Sequence, residues 1–253
     1  MSGFPAAVAF LTRIPLGRGD RNLEGAAPWF PWVGVAIGSV VAGIYAAAHG
    51  WVPSTLGAVI AVSAGVFLTG AMHEDGLADT TDAFGSGASG EEALQILRDP
   101  RLGTYGVIAV AVSLVWRILA LASLSPDWAV AGLILAHGVG RSGAVMLAAI
   151  APPARREGLG RSAVVEMRPL DAVVVVVSAL VIGAASAGWW AIPVLVLTAF
   201  SLWWWRRVAL RRIAGVTGDV LGACEQVTEL LALTTIAVAA WGGASPWWGE
   251  TVL

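Results

Sequence analysis

The sequence predicts an all-α membrane protein, a single domain over residues 1–253 folded as a polytopic bundle of about seven transmembrane helices. Three observations lead there. Hydrophobic residues make up 57% of the chain and charged residues 13%, about half the roughly 25% charged share of a soluble domain. So much apolar side chain cannot be hidden in one core. Seven stretches come close to the roughly 20 apolar residues that a bilayer-crossing helix needs. Almost all the arginines fall on alternate connections between those stretches, as the positive-inside rule requires.

Taken in order, the chain opens on a short apolar run at residues 4–11, with no basic leader and with Arg13 behind it. This reads as an interfacial helix rather than a signal peptide. The apolar stretches follow at residues 32–49, 56–72, 106–124, 128–150, 172–187, 189–205 and 221–241. Only Gly188 separates the fifth from the sixth. Arg13, Arg18 and Arg21 precede the first stretch; Arg98 and Arg101 lie between the second and third. Arg155, Arg156, Arg161 and Arg168 follow the fourth, and Arg206, Arg207, Arg211 and Arg212 follow the sixth. This pattern places the N-terminus in the cytoplasm and the C-terminus outside, in a cell inner (cytoplasmic) membrane. An even span count would break the alternation, which supports dividing the chain at Gly188. Tryptophans mark both ends: Trp51, Trp128, Trp189, Trp190 and Trp241 outside, and Trp29, Trp32, Trp203, Trp204 and Trp205 inside. They read as interfacial belts.

The composition excludes a disordered chain, a disulfide-stapled module and a nucleic-acid binder. Cys224 is the only cysteine, so no intrachain disulfide forms. All 15 basic residues are arginine. Any phosphate must therefore be met by Arg, by backbone amides or by a metal.

Two polar segments on the expected cytoplasmic side carry the chemistry. In residues 73–85, HEDGLADTTDAFG, the carboxylates Asp75, Asp79 and Asp82 are spaced i, i+4, i+7 and share one helix face. Three stacked carboxylates repel one another unless a cation lies between them, and hard oxygen ligands beside phosphates suit Mg²⁺. Glu74 lies off that stripe, in a supporting position. In residues 215–229, GVTGDVLGACEQVTE, Asp219 follows a Gly-rich turn and Glu225 and Glu229 are i, i+4. A carboxylate as deep as Glu229 must face a polar cavity or a cation. Both segments lie on one side of the bilayer, so they can converge on one metal site.

Three polar groups inside apolar stretches point to a cavity: Arg117, and His137 with Arg141 one turn apart. Arg141 reads as an anion contact and His137 as a hydrogen-bonded packing residue. LRDPRLGTYG, residues 97–106, offers Arg98 and Arg101 as phosphate forks and Thr104 as a hydroxyl contact. RREGLGR, residues 155–161, reads as a loop able to cover a substrate.

Taken together, these strings resemble the cobalamin synthase (adenosylcobinamide-GDP ribazoletransferase) family. The matching pieces are FLTRIP at residues 10–15, HEDGLADTTDAFG, LRDPRLGTYGV, the Arg141 region, EGLG at 157–160 and TGDVLGA at 217–223. The resemblance implies a transferase. A ribose hydroxyl of α-ribazole, or of its 5′-phosphate, attacks the corrinoid-side phosphorus of adenosylcobinamide-GDP, and GMP leaves. It implies Mg²⁺, for which Asp75, Asp79, Asp82, Glu74 and Asp219 are the expected ligands. Asp219 or Glu229 would complete the metal shell or take the hydroxyl's proton, and Arg98, Arg101, Arg141 and Thr104 would hold phosphates. The chain departs from the family's second motif at Gln226, where a Glu stands seven positions after the Asp. Either Glu225 substitutes by a local shift or that Glu is dispensable.

Two other readings compete. A CDP-alcohol phosphotransferase needs an Arg soon after its Asp-Gly pair, as DGxxAR, but here Asp79 follows Ala78. A cation or vitamin transporter would use carboxylates in both membrane halves, whereas these gather at one face.

Overall fold

In a computed structural model of the chain, residues 3–16, 23, 25–154 and 168–246 are described. They form helices, with no strand among the described residues. Helix α1 is Gly3–Leu11, formed by the short apolar run that opens the chain. After a 3₁₀ turn, α2 (Phe30–Ala48) runs the length of the bundle and α3 (Ser54–Thr69) returns. Gly70 (φ 69°) and Ala71 (φ 58°) are left-handed and end α3. The chain then turns by 87° into α4, Met72–Gly85, the helix of the first acidic motif. The turn separates the apolar α3 from α4, which carries four carboxylates in 14 residues.

The short α5 (Gly90–Ile96) leads to α6 (Thr104–Ala122) and then to α7 (Pro126–Ile150). Helix α8 is Pro169–Ala187, α9 is Ala191–Ile213 and α10 is Gly218–Trp241. Five segments are long and apolar enough to cross a membrane: Ala27–Ala48, Thr104–Ala122, Pro126–Ile150, Pro169–Ile213 and Gly218–Trp241. The bent pair α3–α4 makes a sixth if counted as one span. Pro169–Ile213 is not a straight rod. A Cβ on Gly183 would lie 3.0 Å from the Ala191 side chain, whereas eight residues along one helix separate atoms by about 12 Å. The chain doubles back at Gly188, whose φ is 55°.

Three expectations are corrected. Arg206, Arg207, Arg211 and Arg212 do not lie in a loop, because α9 continues to Ile213 and ends only at the left-handed Ala214. Trp128 is buried rather than in a belt, and its indole N–H donates to the Ala244 carbonyl at 3.0 Å. Trp205 is also buried, between α9 and the helices of the site. Trp51, Trp189 and Trp241 are each more than four-fifths exposed.

The packing uses small residues where backbones touch, as in membrane bundles generally. On α2, Gly34 and Gly38 press against the backbone of α7 at His137 and Leu133. One end of the bundle gathers the polar connections. Arg13 donates to the Gly70 carbonyl (3.3 Å), Arg206 to Ile150 (2.8 Å) and Arg212 to Gly87 (2.7 Å). A β-bridge joins Pro153 to Val216 at the same end.

Candidate active site

The site begins with two glycines. Helices α4 and α10 cross at Gly76 and Gly222. A Cβ on Gly76 would fall 2.8 Å from the Asp219 carbonyl oxygen and 3.3 Å from the Gly222 Cα. This contact places Asp75 and Asp79 of α4 beside Asp219 in the first turn of α10. Thr217 caps that turn, accepting from the Val220 N–H at 3.4 Å and donating to Asp219 Oδ2 at 3.1 Å. Asp79 is partly buried and within electrostatic reach of Asp75, Asp219 and Asp82. The two acidic motifs therefore converge on one place. Asp75 and Asp219 line a cavity of about 240 Å³ between α1, α2, α4, α7 and α10.

Asp82 is placed differently from its two stripe-mates. Its carboxylate accepts the backbone N–H groups of Gly103 (2.7 Å) and Gly106 (2.9 Å). These are the orphan donors at the start of α6, so Asp82 caps that helix from a distance of 21 residues in sequence. The glycines of RLGTYG are explained by the same contact, because a Cβ at either position would lie 2.4 Å from the Asp82 oxygens. The segment thus docks α6 onto α4. Arg98 and Thr104 stand exposed at this end. Arg101 forks onto Asp99, with distances of 2.6, 2.9 and 3.2 Å, and its own N–H adds a fourth bond. Those side-chain bonds, and then the backbone bond, hold the Asp99 carboxyl well below its ordinary range, at about 2.

Beneath the carboxylates lies a buried ionic cluster. Arg117 of α6 donates to Glu74 (3.0 Å) and Glu229 (3.4 Å). Arg141 of α7 contacts Glu225, Glu229 and His137. His137 also meets Glu229, His73 lies 3.6 Å from Glu225, and Gln226 donates to Glu225 at 3.1 Å. Arg141 is 2% exposed and Glu229 3% exposed. Glu74 and Glu229 thus face arginines, and Arg141 faces carboxylates rather than an open phosphate site. A cavity of about 30 Å³ inside the cluster is large enough for a water molecule, which needs on the order of 10–15 Å³. His73 and Gln226 belong to this network and carried no role in the sequence reading; Glu225, offered there as a substitute for the family's Glu, belongs to it too. Their signal is a helical one: Glu225 and Glu229 share a face of α10, while His73 and Glu74 are the two residues just before the acidic stripe. Residues 155–161 and the arginines Arg18 and Arg21 lie outside the described residues.

Among the described residues, no three His, Cys, Asp or Glu side chains are arranged to hold a metal by themselves. The donor set nevertheless suits Mg²⁺, which is commonly held by one or two carboxylates together with substrate phosphates. Asp75, Asp79 and Asp219 supply hard oxygens at one place. Glu74 and Asp82 are engaged with Arg117 and with the α6 amides.

Comparison with known proteins shows the family of the chain. Residues 3–237 match the sequence model of the family described as Cobalamin-5-phosphate synthase. An adenosylcobinamide-GDP ribazoletransferase of Bradyrhizobium diazoefficiens is 37% identical over 238 residues, covering 91% of each chain. That of Ralstonia nicotianae is 39% identical, covering 90% of this chain and 91% of its own. That of Clostridium novyi is 32% identical, covering 88% and 92%. No solved structure matches. The match runs from α1 through nearly all of α10 and so takes in both acidic motifs, the capped glycine segment and the buried arginines: the chain belongs to the cobalamin-5-phosphate synthase family.

Proposed function

We propose that Asp75, Asp79 and Asp219 form the centre at which this chain joins α-ribazole, or α-ribazole 5′-phosphate, to adenosylcobinamide-GDP. The products are adenosylcobalamin, or its 5′-phosphate, and GMP. The observation that carries this reading is the α4–α10 crossing, which sets carboxylates from both motifs at the mouth of one cavity. In the reaction a ribose oxygen bonds to the corrinoid-side phosphorus while the bond to the GMP oxygen breaks. Such a displacement needs positioning and charge neutralisation more than covalent help. Asp219 accepts the proton of the attacking hydroxyl, with Thr217 holding the carboxylate in place. Glu229 is tied to Arg117 and Arg141 and serves as a positioning residue, not as the base. Asp75 and Asp79 would hold Mg²⁺, which would supply charge neutralisation for the departing GMP. The exposed Arg98 lies at the same end, where a phosphate can reach it.

The same proposal covers topology. The chain crosses a cytoplasmic membrane seven times, with α3 and α4 as one broken span and α8 and α9 as two. Its N-terminus and the carboxylate end face the cytoplasm, and its C-terminus lies outside. The support is the gathering of Arg13, Arg98, Arg101, Arg206 and Arg212 at the carboxylate end.

The test is GMP release. Purified protein in detergent, given Mg²⁺, adenosylcobinamide-GDP and α-ribazole, is expected to release one GMP per cobalamin formed, and chelation of Mg²⁺ is expected to stop it. Corrinoid product without GMP, or full turnover in excess chelator, would overturn the reading.

A further inference from the structure

The 240 Å³ cavity has walls that the carboxylate chemistry does not use. Asp75 and Asp219 stand at its mouth, and the rest of the lining is largely apolar. Phe10 and Phe30 form one wall, their rings stacked with centroids 5.6 Å apart and planes 24° from parallel. Met72, Val145, Ala148 and Leu221 supply the others. Two polar side chains at the floor, Arg141 and His73, also line the smaller cavity of the ionic cluster, so they form the partition between the two spaces.

This combination defines an occupant: a flat apolar ring system, with a polar sugar at the carboxylates. We propose that the cavity takes the base of the ribazole substrate, with the ring beside Phe10 and Phe30 and its ribose at Asp75 and Asp219. The inference rests on the transferase reading and deepens it. Size decides between the two substrates. The space lies just below the roughly 300–1,000 Å³ of pockets for drug-sized ligands, and a corrin macrocycle with its upper ligand is several times too large for it. The corrinoid therefore approaches the carboxylates from outside the cavity and only the ribazole enters. The placement also gives a role to FLTRIP, the first matching string, which had none in the chemistry. Its Phe10 and Leu11 are cavity wall, and its Arg13 fastens the segment to the α3–α4 corner through the Gly70 carbonyl.

The experiment narrows the cavity and reads each substrate separately. In the full-length protein, Ala148→Leu adds bulk to the α7 wall, and Phe10→Ala removes half of the stacked pair. Binding of radiolabelled α-ribazole is measured by equilibrium dialysis without corrinoid, and KM is measured for each substrate. Both variants are expected to weaken α-ribazole binding and raise its KM by about tenfold or more, the scale set by a misfitted apolar pocket. The KM for adenosylcobinamide-GDP is expected to stay within about twofold. The riboside of unsubstituted benzimidazole, smaller by two methyl groups, is expected to lose less in Ala148→Leu than α-ribazole does. A rise confined to the adenosylcobinamide-GDP KM, or α-ribazole binding unchanged in both variants, would overturn the proposal. If Ala148→Leu fails to fold, Phe10→Ala carries the same test. Wild-type protein that binds α-ribazole but releases no GMP would sink the transferase reading while leaving the pocket in place.

Discussion

At the residue scale, one stripe of three aspartates performs two jobs. Asp75 and Asp79 face Asp219, whereas Asp82 holds the first turn of α6. Their spacing on one helix face was legible in the sequence. The division was not, because the partners of Asp82 are backbone amides more than 20 residues away. Asp82→Ala is expected to lower stability by about 1–2 kcal/mol, the worth of a helix cap, measured by thermal unfolding in detergent. The arginines give a second lesson. Arg117 and Arg141 stood out as charges inside apolar stretches, but their partners come from α4 and α10. Only the folded bundle shows that they neutralise Glu74, Glu225 and Glu229 rather than a phosphate. Removing one member of a buried pair leaves an uncompensated charge. Arg117→Met is therefore expected to destabilise the protein by about 3–5 kcal/mol, seen as a lower midpoint in the same unfolding measurement. An unchanged midpoint would mean that water reaches the cluster.

At the element scale, the helices were largely readable because apolar length and arginine placement mark a span without knowledge of its neighbours. The ends were less so. Helix α9 runs on through Arg206–Arg212 since nothing before Ala214 stops it, and basic side chains in a last turn suit the helix dipole. The corner between α3 and α4 depends on two left-handed residues, and Ala71 gave no sequence warning. The element that matters most is the α4–α10 crossing. Gly76→Ala would set a Cβ 2.8 Å from the Asp219 carbonyl oxygen, too close for the helices to keep their contact. The substitution is expected to lower kcat by at least about tenfold, since small misplacements of reacting groups carry large rate losses. Gly43→Ala on α2, where a Cβ meets nothing within 4 Å, is the control and is expected to keep full activity. Equal activity of the two variants would remove the crossing from the mechanism.

At the scale of the whole molecule, a chain poor in charge concentrates it at one end. Buried pairs occupy the interior there, carboxylates the cavity mouth, and arginines the edge. A topology experiment follows. A periplasmically active reporter fused after Trp241 is expected to be active, and one fused after Arg212 inactive; the reverse pattern would place the carboxylate end on the wrong side for its substrate. The most direct test of the central claim is GMP turnover by purified Asp75→Asn, measured beside its thermal midpoint. Asp75 is exposed at the cavity mouth, so the change removes a charge from the site and little from the packing. Loss of turnover by about a thousandfold, equivalent to roughly 4 kcal/mol, with an unchanged midpoint is the expected result. Turnover within a few fold of the wild type would contradict the assignment of this carboxylate centre.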